Sequence, residues 1–177
     1  MEVINLNEEF PKDLSLLTNR SKGLHVSQIY GDLEDILFSP RKTNNKLWAT
    51  VGFIWEILLE LAFKEALGVR PGELELDGII GSPDGINWEG GYIEEYKLTW
   101  SSAKKPIESK WKWMTQVMAY CKMAGLTVVR FRVFYINGDY SFEGPIYKSA
   151  FITFTQEEID TNWEMLLSHA RVKGWLK

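Results

Sequence analysis

The apolar positions along this chain change period several times, and each change marks a structural element. Over 27–37 and again over about 46–67 they recur every three or four residues, the repeat of a helix with one buried face. Ser27 is placed to cap the first helix and Ser39-Pro40 to end it; Gly68 closes the second, with Pro71 just beyond. Then the pattern shortens. Residues 73–81, 84–88 and 92–99 read as strands, the last two joined as a hairpin through Glu89-Gly90-Gly91. The polar stretch 100–106 predicts a loop. Helical spacing returns over 107–124, with Trp111, Met114, Met118 and Cys121 as its apolar stripe, and stops at Gly125. A β-rich run over 127–136 and a strand near 150–154 follow. Thr155 and Glu158, at capping-box spacing, announce a final helix.

The order helix, three strands, helix, strand predicts a mixed sheet flanked by helices, an α/β (α+β) fold. The first 24 residues give no clear periodicity. No repeat, linker or low-complexity tract divides the 177 residues, and 45% hydrophobic content supports one core, so a single domain over 1–177 is expected. The uncharged run 47–55 is far too short to cross a bilayer, and the opening Met1-Glu2-Val3 lacks a secretory signal's basic and apolar regions. A soluble, cytoplasmic protein without membrane contact is the expectation. Cys121 is the only cysteine, which excludes an intrachain disulfide and an iron-sulfur cluster; His25 and His169 are too few for a histidine-rich metal site.

The net charge of −4 conceals two opposed blocks. Residues 56–95 carry ten acids against Lys64 and Arg70, a local charge of −8. Residues 97–132 carry eight bases against Glu108, a local charge of +7. An acidic centre can hold cations beside a basic surface that holds a polyanion; two solvated faces that attract one another give the same pattern.

The hairpin GSPDGINWEGGYIEEYK (81–97) concentrates the acids. Symmetry about Glu89-Gly90 sets Asp84 opposite Glu95 and Ile86 opposite Ile93, and facing carboxylates destabilise a strand pair unless a cation compensates. Side chains alternate along a strand, so Glu95 and Lys97 share one face while Glu94 and Tyr96 take the other. Carboxylate oxygens are preferred ligands of hard cations such as magnesium. Each group also has a plainer role open to it: Asp84 as a turn residue, Glu95 as a surface ion-pair partner, Glu56 on the polar side of an amphipathic helix, Gln116 and Tyr120 as a surface hydrogen-bonded pair.

Pro83-Asp84 and Glu95-Tyr96-Lys97 resemble the motif of the PD-(D/E)xK nuclease superfamily. Gln116-Val117-Met118-Ala119-Tyr120 is similar to the Q-x-x-x-Y of its RecB-like branch. Gly52-Phe53-Ile54-Trp55-Glu56 is similar to the G-x-x-x-E of lambda- and YqaJ-type phage exonucleases. The likeness covers about 25–155; where many RecB-like nucleases have an upstream histidine, this chain has Glu56. It implies a restriction-endonuclease-like core, with elements in αβββαβ order, and a metal-dependent DNA nuclease. An exonuclease of phage-type recombination, repair or DNA processing is favoured. The implied metal is magnesium or manganese, held by Asp84, Glu95, the Tyr96 carbonyl and Glu56. Lys97 is implied to orient the attacking water or to neutralise charge developing in the transition state, and Gln116 and Tyr120 to position Lys97 or the strand backbone.

Lys104, Lys105, Lys110 and Lys112, interleaved with Trp100, Trp111 and Trp113, would contact DNA by charge and stacking, although the tryptophans suit a core equally. DNA is the expected partner, in the host cytoplasm if the chain is phage-encoded. A homo-oligomer or a recombination-protein partner is left open. The alternative is a catalytically silent nucleic-acid- or protein-binding domain on the same fold.

Overall fold

A computed structural model describes residues 21–38, 46–63, 68–141 and 144–177. The chain enters through a short strand β1 (Leu24–His25), which runs directly into α1 (Val26–Phe38), and α2 follows (Lys46–Phe63). Four strands come next: β2 (Leu74–Leu76), β3 (Ile79–Gly81), β4 (Gly85–Asn87) and β5 (Tyr92–Thr99). A single 3₁₀ turn (Ile107–Ser109) leads to α3 (Trp111–Ala124), and the chain closes with β6 (Val128–Tyr135), β7 (Ile146–Thr153) and α4 (Gln156–Val172). None of the described helices is long and apolar enough to cross a membrane.

The mixed sheet is four-stranded, in the order β4-β5-β6-β7. Strands β5 and β6 are parallel, and the outer pairings are antiparallel. Parallel neighbours require a crossover, and α3 supplies it. That helix ends at Gly125, whose left-handed φ of 67° lets its N–H bond the Cys121 carbonyl. The expected capping box also forms: Thr155 accepts from the Glu158 N–H, and Glu158 accepts from the Thr155 N–H. One sheet face presents Ile93, Val129, Phe131, Val133 and Tyr135 to α1, α3 and α4, which contribute Ile29, Val117, Cys121, Trp163 and Leu166 to the same core. Glu95 and Lys97 share that face, because they lie in step with Ile93.

Four sequence expectations change. The single strand over 73–81 is two strands, β2 and β3, folded back at Asp77-Gly78. Both turn residues are left-handed, with φ of 53° and 77°, the conformation an Asp-Gly hairpin turn requires. Together with β1 they form a second sheet, ordered β1-β3-β2, so the αβββαβ order becomes two sheets with an extra strand in front. The helix over 107–124 is interrupted at Lys110, whose ψ of 86° separates the 3₁₀ turn from α3. The strand near 150–154 begins earlier, at Ile146, because β7 pairs along the whole length of β6. The helix end at 64–67 and the Ser39-Pro40 stop lie outside the described residues.

The basic block is not an open surface. Of its eight bases, Lys97, Lys104, Lys112, Lys122 and Arg132 each pair with an acid, respectively Glu95, Asp139, Glu34, Asp160 and Glu94. The Glu94–Arg132 pair, 2.9 Å apart, is 0% and 1% exposed and lies on the sheet face opposite Glu95. Tyr147 OH lies 3.3 Å from Arg132 Nη1 on that same side, and Trp55 of α2 packs against Phe134 and Tyr147 there. Removing one member of such a pair strands the other charge in the interior. Arg132→Met alone should therefore cost about 3 to 5 kcal/mol, and adding Glu94→Leu should recover most of that loss. Urea denaturation midpoints measure both; an equal loss in single and double variants would contradict the assignment.

Candidate active site

The β4–β5 hairpin has the register expected from its sequence: Ile86 pairs Ile93, and Gly85 pairs Glu94. Asp84 therefore stands one residue before β4, beside Glu95. Its Oδ2 accepts a 2.7 Å hydrogen bond from the Tyr96 N–H. Glu95, buried at 1% exposure, accepts a hydrogen bond from Lys97 Nζ through Oε1, while its Oε2 is buried with no hydrogen-bond partner among the described residues.

Lys97 is held from two directions. Its Nζ also donates to Gln116 Oε1 at 3.0 Å, and Gln116 Nε2 donates to Tyr120 OH at 2.8 Å. Gln116 and Tyr120 are one turn apart on α3, so their side chains meet on one helix face. The face is not a surface one: Tyr120 is buried, and α3 buries residues all round because the sheet, α1 and α4 each take a side. The Tyr120 ring lies against Gly81. A Cβ there would stand 3.0 Å from the ring and 2.6 Å from the Met123 sulfur, so a larger residue directly before the Ser82-Pro83-Asp84 segment would press on both side chains. One tyrosine thus packs against the approach to Asp84 and orients the amide that holds Lys97.

Helix α2 packs on β5 and brings Glu56 into the electrostatic field of Asp84, Glu95 and Lys97. Glu56 Oε2 accepts from Arg70 Nη2 at 2.9 Å. Burial, reinforced by the Asp84 charge and opposed by Arg70, pushes the Glu56 carboxyl up to about 7. Burial raises Asp84 too, against the pull of Lys97 and the Tyr96 N–H. Burial likewise raises Glu95 to about 8, with Lys97 opposing and Asp84 adding to it. For Lys97, burial works against the charged form, yet Glu95 and Asp84 outweigh it and hold the ammonium above its ordinary range.

Among the described residues, no three His, Cys, Asp or Glu groups converge closely enough to grip an ion. Each acid is turned to a partner of its own: Asp84 to the Tyr96 N–H, Glu95 to Lys97, Glu56 to Arg70. The donor chemistry nevertheless fits a hard divalent cation. Three desolvated carboxyl groups share one field, and the Glu95 Oε2 is a buried oxygen that would ligate a cation once the group gives up its proton. Asp84 and Glu95, with the Tyr96 carbonyl and Glu56 at the margin, are the groups that could hold one.

The side chains expected to contact DNA are more dispersed. Lys105 is exposed, and Lys104 lies 3.7 Å from Asp139. Lys110 sits over the Trp113 ring, and Lys112 bonds Glu34 at 2.7 Å while lying over Tyr30. Trp100 is half-buried, and its carbonyl accepts from Tyr140 OH. Trp113 stacks against the core residue Phe131, and Trp111 packs on Phe38, so neither reads as an open stacking platform.

Two residues at the site were missed in the sequence. Arg70 is one of only two bases in the acidic block, and that isolation was the available signal. Tyr30 of α1 is buried, and its phenol acts electrostatically on Lys97 and Tyr120. No local pattern marks it.

Because Glu56 and Glu95 hold protons in the folded state that the unfolded chain has released above 4.5, metal-free stability should fall as pH rises from about 4.5 to about 8. Thermal melting in EDTA across that range should show the decline, and Glu95→Gln should make it shallower, leaving the part due to Glu56. A Tm that rises through the same window would contradict the electrostatics.

No protein-family model and no curated protein matches the chain. Solved structures do. A phage-related exonuclease from Haemophilus somnus 129PT superposes with a TM-score of 0.57 at 14% identity, over 82% of this chain and 79% of that one. LHK-Exo, solved in complex with dAMP, superposes with a TM-score of 0.56 at 14% identity, over 85% of this chain and 87% of that one. With its mixed sheet, flanking helices and the hairpin that gathers Asp84, Glu95 and Lys97, this chain has the restriction-endonuclease-like fold that those exonucleases share.

Proposed function

We propose that this protein is a metal-dependent DNA nuclease that hydrolyses phosphodiester bonds, and that it acts as an exonuclease of the phage type. The observation that carries this reading is the largely covered Lys97 ammonium beside Asp84 and Glu95, fixed by a Gln116–Tyr120 relay. Likeness to two solved exonucleases supports it at the level of fold.

Magnesium or manganese, held by Asp84 and Glu95 with the Tyr96 carbonyl and Glu56, would supply Lewis-acid polarisation of the phosphate and a more acidic water. The remaining work falls to the chain. Lys97 keeps its proton across the neutral range and serves as a fixed positive charge for the oxyanion that develops at phosphorus. That favours charge stabilisation over a general-base role, since a base must first lose its proton. Gln116 accepts from Lys97 with its oxygen and donates to Tyr120 with its nitrogen, so the amide's orientation is determined and the ammonium's direction with it. Lys105, Lys104, Lys110 and Lys112, with Trp100, would carry the flanking DNA; Lys104 and Lys112 would exchange surface ion pairs of small worth for phosphate.

A catalytically silent binding domain is the second reading. An orphaned buried carboxylate oxygen favours the enzyme, because a binding module gains nothing from an under-compensated acid cluster.

Linear and closed-circular DNA incubated with magnesium, manganese or EDTA separates the two. The nuclease reading expects degradation of the linear form with either metal and none in EDTA. Lys97→Met should lower kcat by at least about a hundredfold, in line with loss of an oxyanion-stabilising donor, and leave DNA affinity nearly unchanged. Full turnover in Lys97→Met, on protein free of host nucleases, would refute the assigned role.

A further inference from the structure

Arg70 reaches the site through a constraint that has nothing to do with its own side chain. Val69 and Ile86 exchange backbone hydrogen bonds, both 2.9 Å, in an isolated antiparallel bridge onto β4. The crossing is tight: a Cβ on Gly68 would stand 2.6 Å from the Ile86 carbonyl carbon, and one on Gly85 would stand 3.2 Å from the Gly68 oxygen. Two glycines back to back permit the approach. The segment is thereby fixed beside the strand that Asp84 enters, and Arg70 is the next residue along.

The Arg70 side chain is 53% exposed, whereas that of its partner Glu56 is 19% exposed. Its charge acts on Glu56, Asp84 and Tyr96 together. Lys97 is mostly covered, at 19% exposure beside the buried Glu95, and Arg70 is the more open of the two cations. A polyanion approaching three carboxylates needs positive charge in front of them. The planar guanidinium matches phosphate oxygens in a two-pronged contact that an ammonium cannot make. Its pairing with Glu56 is half open to solvent, the type of ion pair that exchanges partners at little cost.

Resting on the nuclease reading, we infer that Arg70 is a substrate-contact residue: its guanidinium grips a phosphate of the cut strand at the mouth of the acid cluster. Glu56 orients the guanidinium in the free protein and yields it to the phosphate when DNA enters. The Gly68–Ile86 crossing is the anchor that sets Arg70 at that height.

DNA binding in calcium, followed against salt concentration, gives the test. Arg70→Met should weaken duplex binding roughly 10- to 100-fold at low salt. It should also reduce the slope of log affinity against log salt by about 0.9, the signature of one lost phosphate contact. Arg70→Lys should keep the slope while binding more weakly. A set of oligonucleotides, each with one neutral methylphosphonate linkage, adds the specific readout. Wild-type protein should lose affinity at one linkage, and Arg70→Met should be indifferent there. An Arg70→Met protein that melts at a lower temperature yet keeps the wild-type slope and methylphosphonate penalty would show a purely structural role and overturn the inference. Wild-type protein that leaves DNA uncut with magnesium and manganese would refute the nuclease reading and this inference together; cleavage with an unchanged slope would refute this inference alone.

Discussion

The ion pair between Lys97 and Glu95 is the interaction on which this site depends. Both groups sit on the core face of β5, where Phe131 and Val133 of β6 lie beside them in register. A charge placed there must be compensated within the protein, because desolvating a lone carboxylate or ammonium costs several kcal/mol. Lys97 answers Glu95, Gln116 answers Lys97 and Tyr120 answers Gln116. The last of these packs on Gly81, and the chain passes from Gly81 to Asp84 in three residues. Packing of α3 and position of the acids are therefore one constraint, not two.

Strand alternation divides the buried charge into two sets with opposite character. On the outer face, Glu94 meets Arg132 through two guanidinium nitrogens, Nε and Nη2, and both residues are fully buried. That pair is complete and structural. On the core face, Glu95 keeps one oxygen unmatched, and Asp84 and Glu56 add charge to the same field. A slip of one residue in β5 would exchange the two sets, which is why the register of this strand matters more than its length. Groups held this far from their ordinary titration belong more often to sites of chemistry than to scaffolding.

Local patterns exposed much of this in the sequence. Glu89-Gly90-Gly91 and the flanking alternation defined the hairpin register, and Thr155 with Glu158 defined the last helix start. Asp84, Glu95, Lys97, Gln116 and Tyr120 were all visible as spaced motifs, and they occupy one region of the fold. What stayed hidden depends on contacts between distant residues. Lys112 finds Glu34 across 78 positions at the surface, and Arg132 finds Glu94 across 38 in the interior, so much of a basic block in the sequence is paired with acids of the same chain. Strand β1 is two residues long and pairs with β3, too short for any periodicity. Asp77-Gly78 is different: its turn signal was in plain sight, masked by the apolar run around it. Arg70 gave only its isolation among acids, because a backbone bridge and not a side-chain pattern sets its place.

In the nuclease we propose, the under-compensated carboxylates of the β4–β5 hairpin would form a divalent-cation site with Lys97 beside it. Manganese titrated into metal-free protein, with the unbound ion read by electron paramagnetic resonance, tests this most directly. The account predicts a site in the wild type that weakens by at least about tenfold in Glu95→Gln or Asp84→Asn, where a charged hard ligand is lost, and that is retained or tightened in Lys97→Met. Equal manganese affinity in wild type, Glu95→Gln and Asp84→Asn would contradict it.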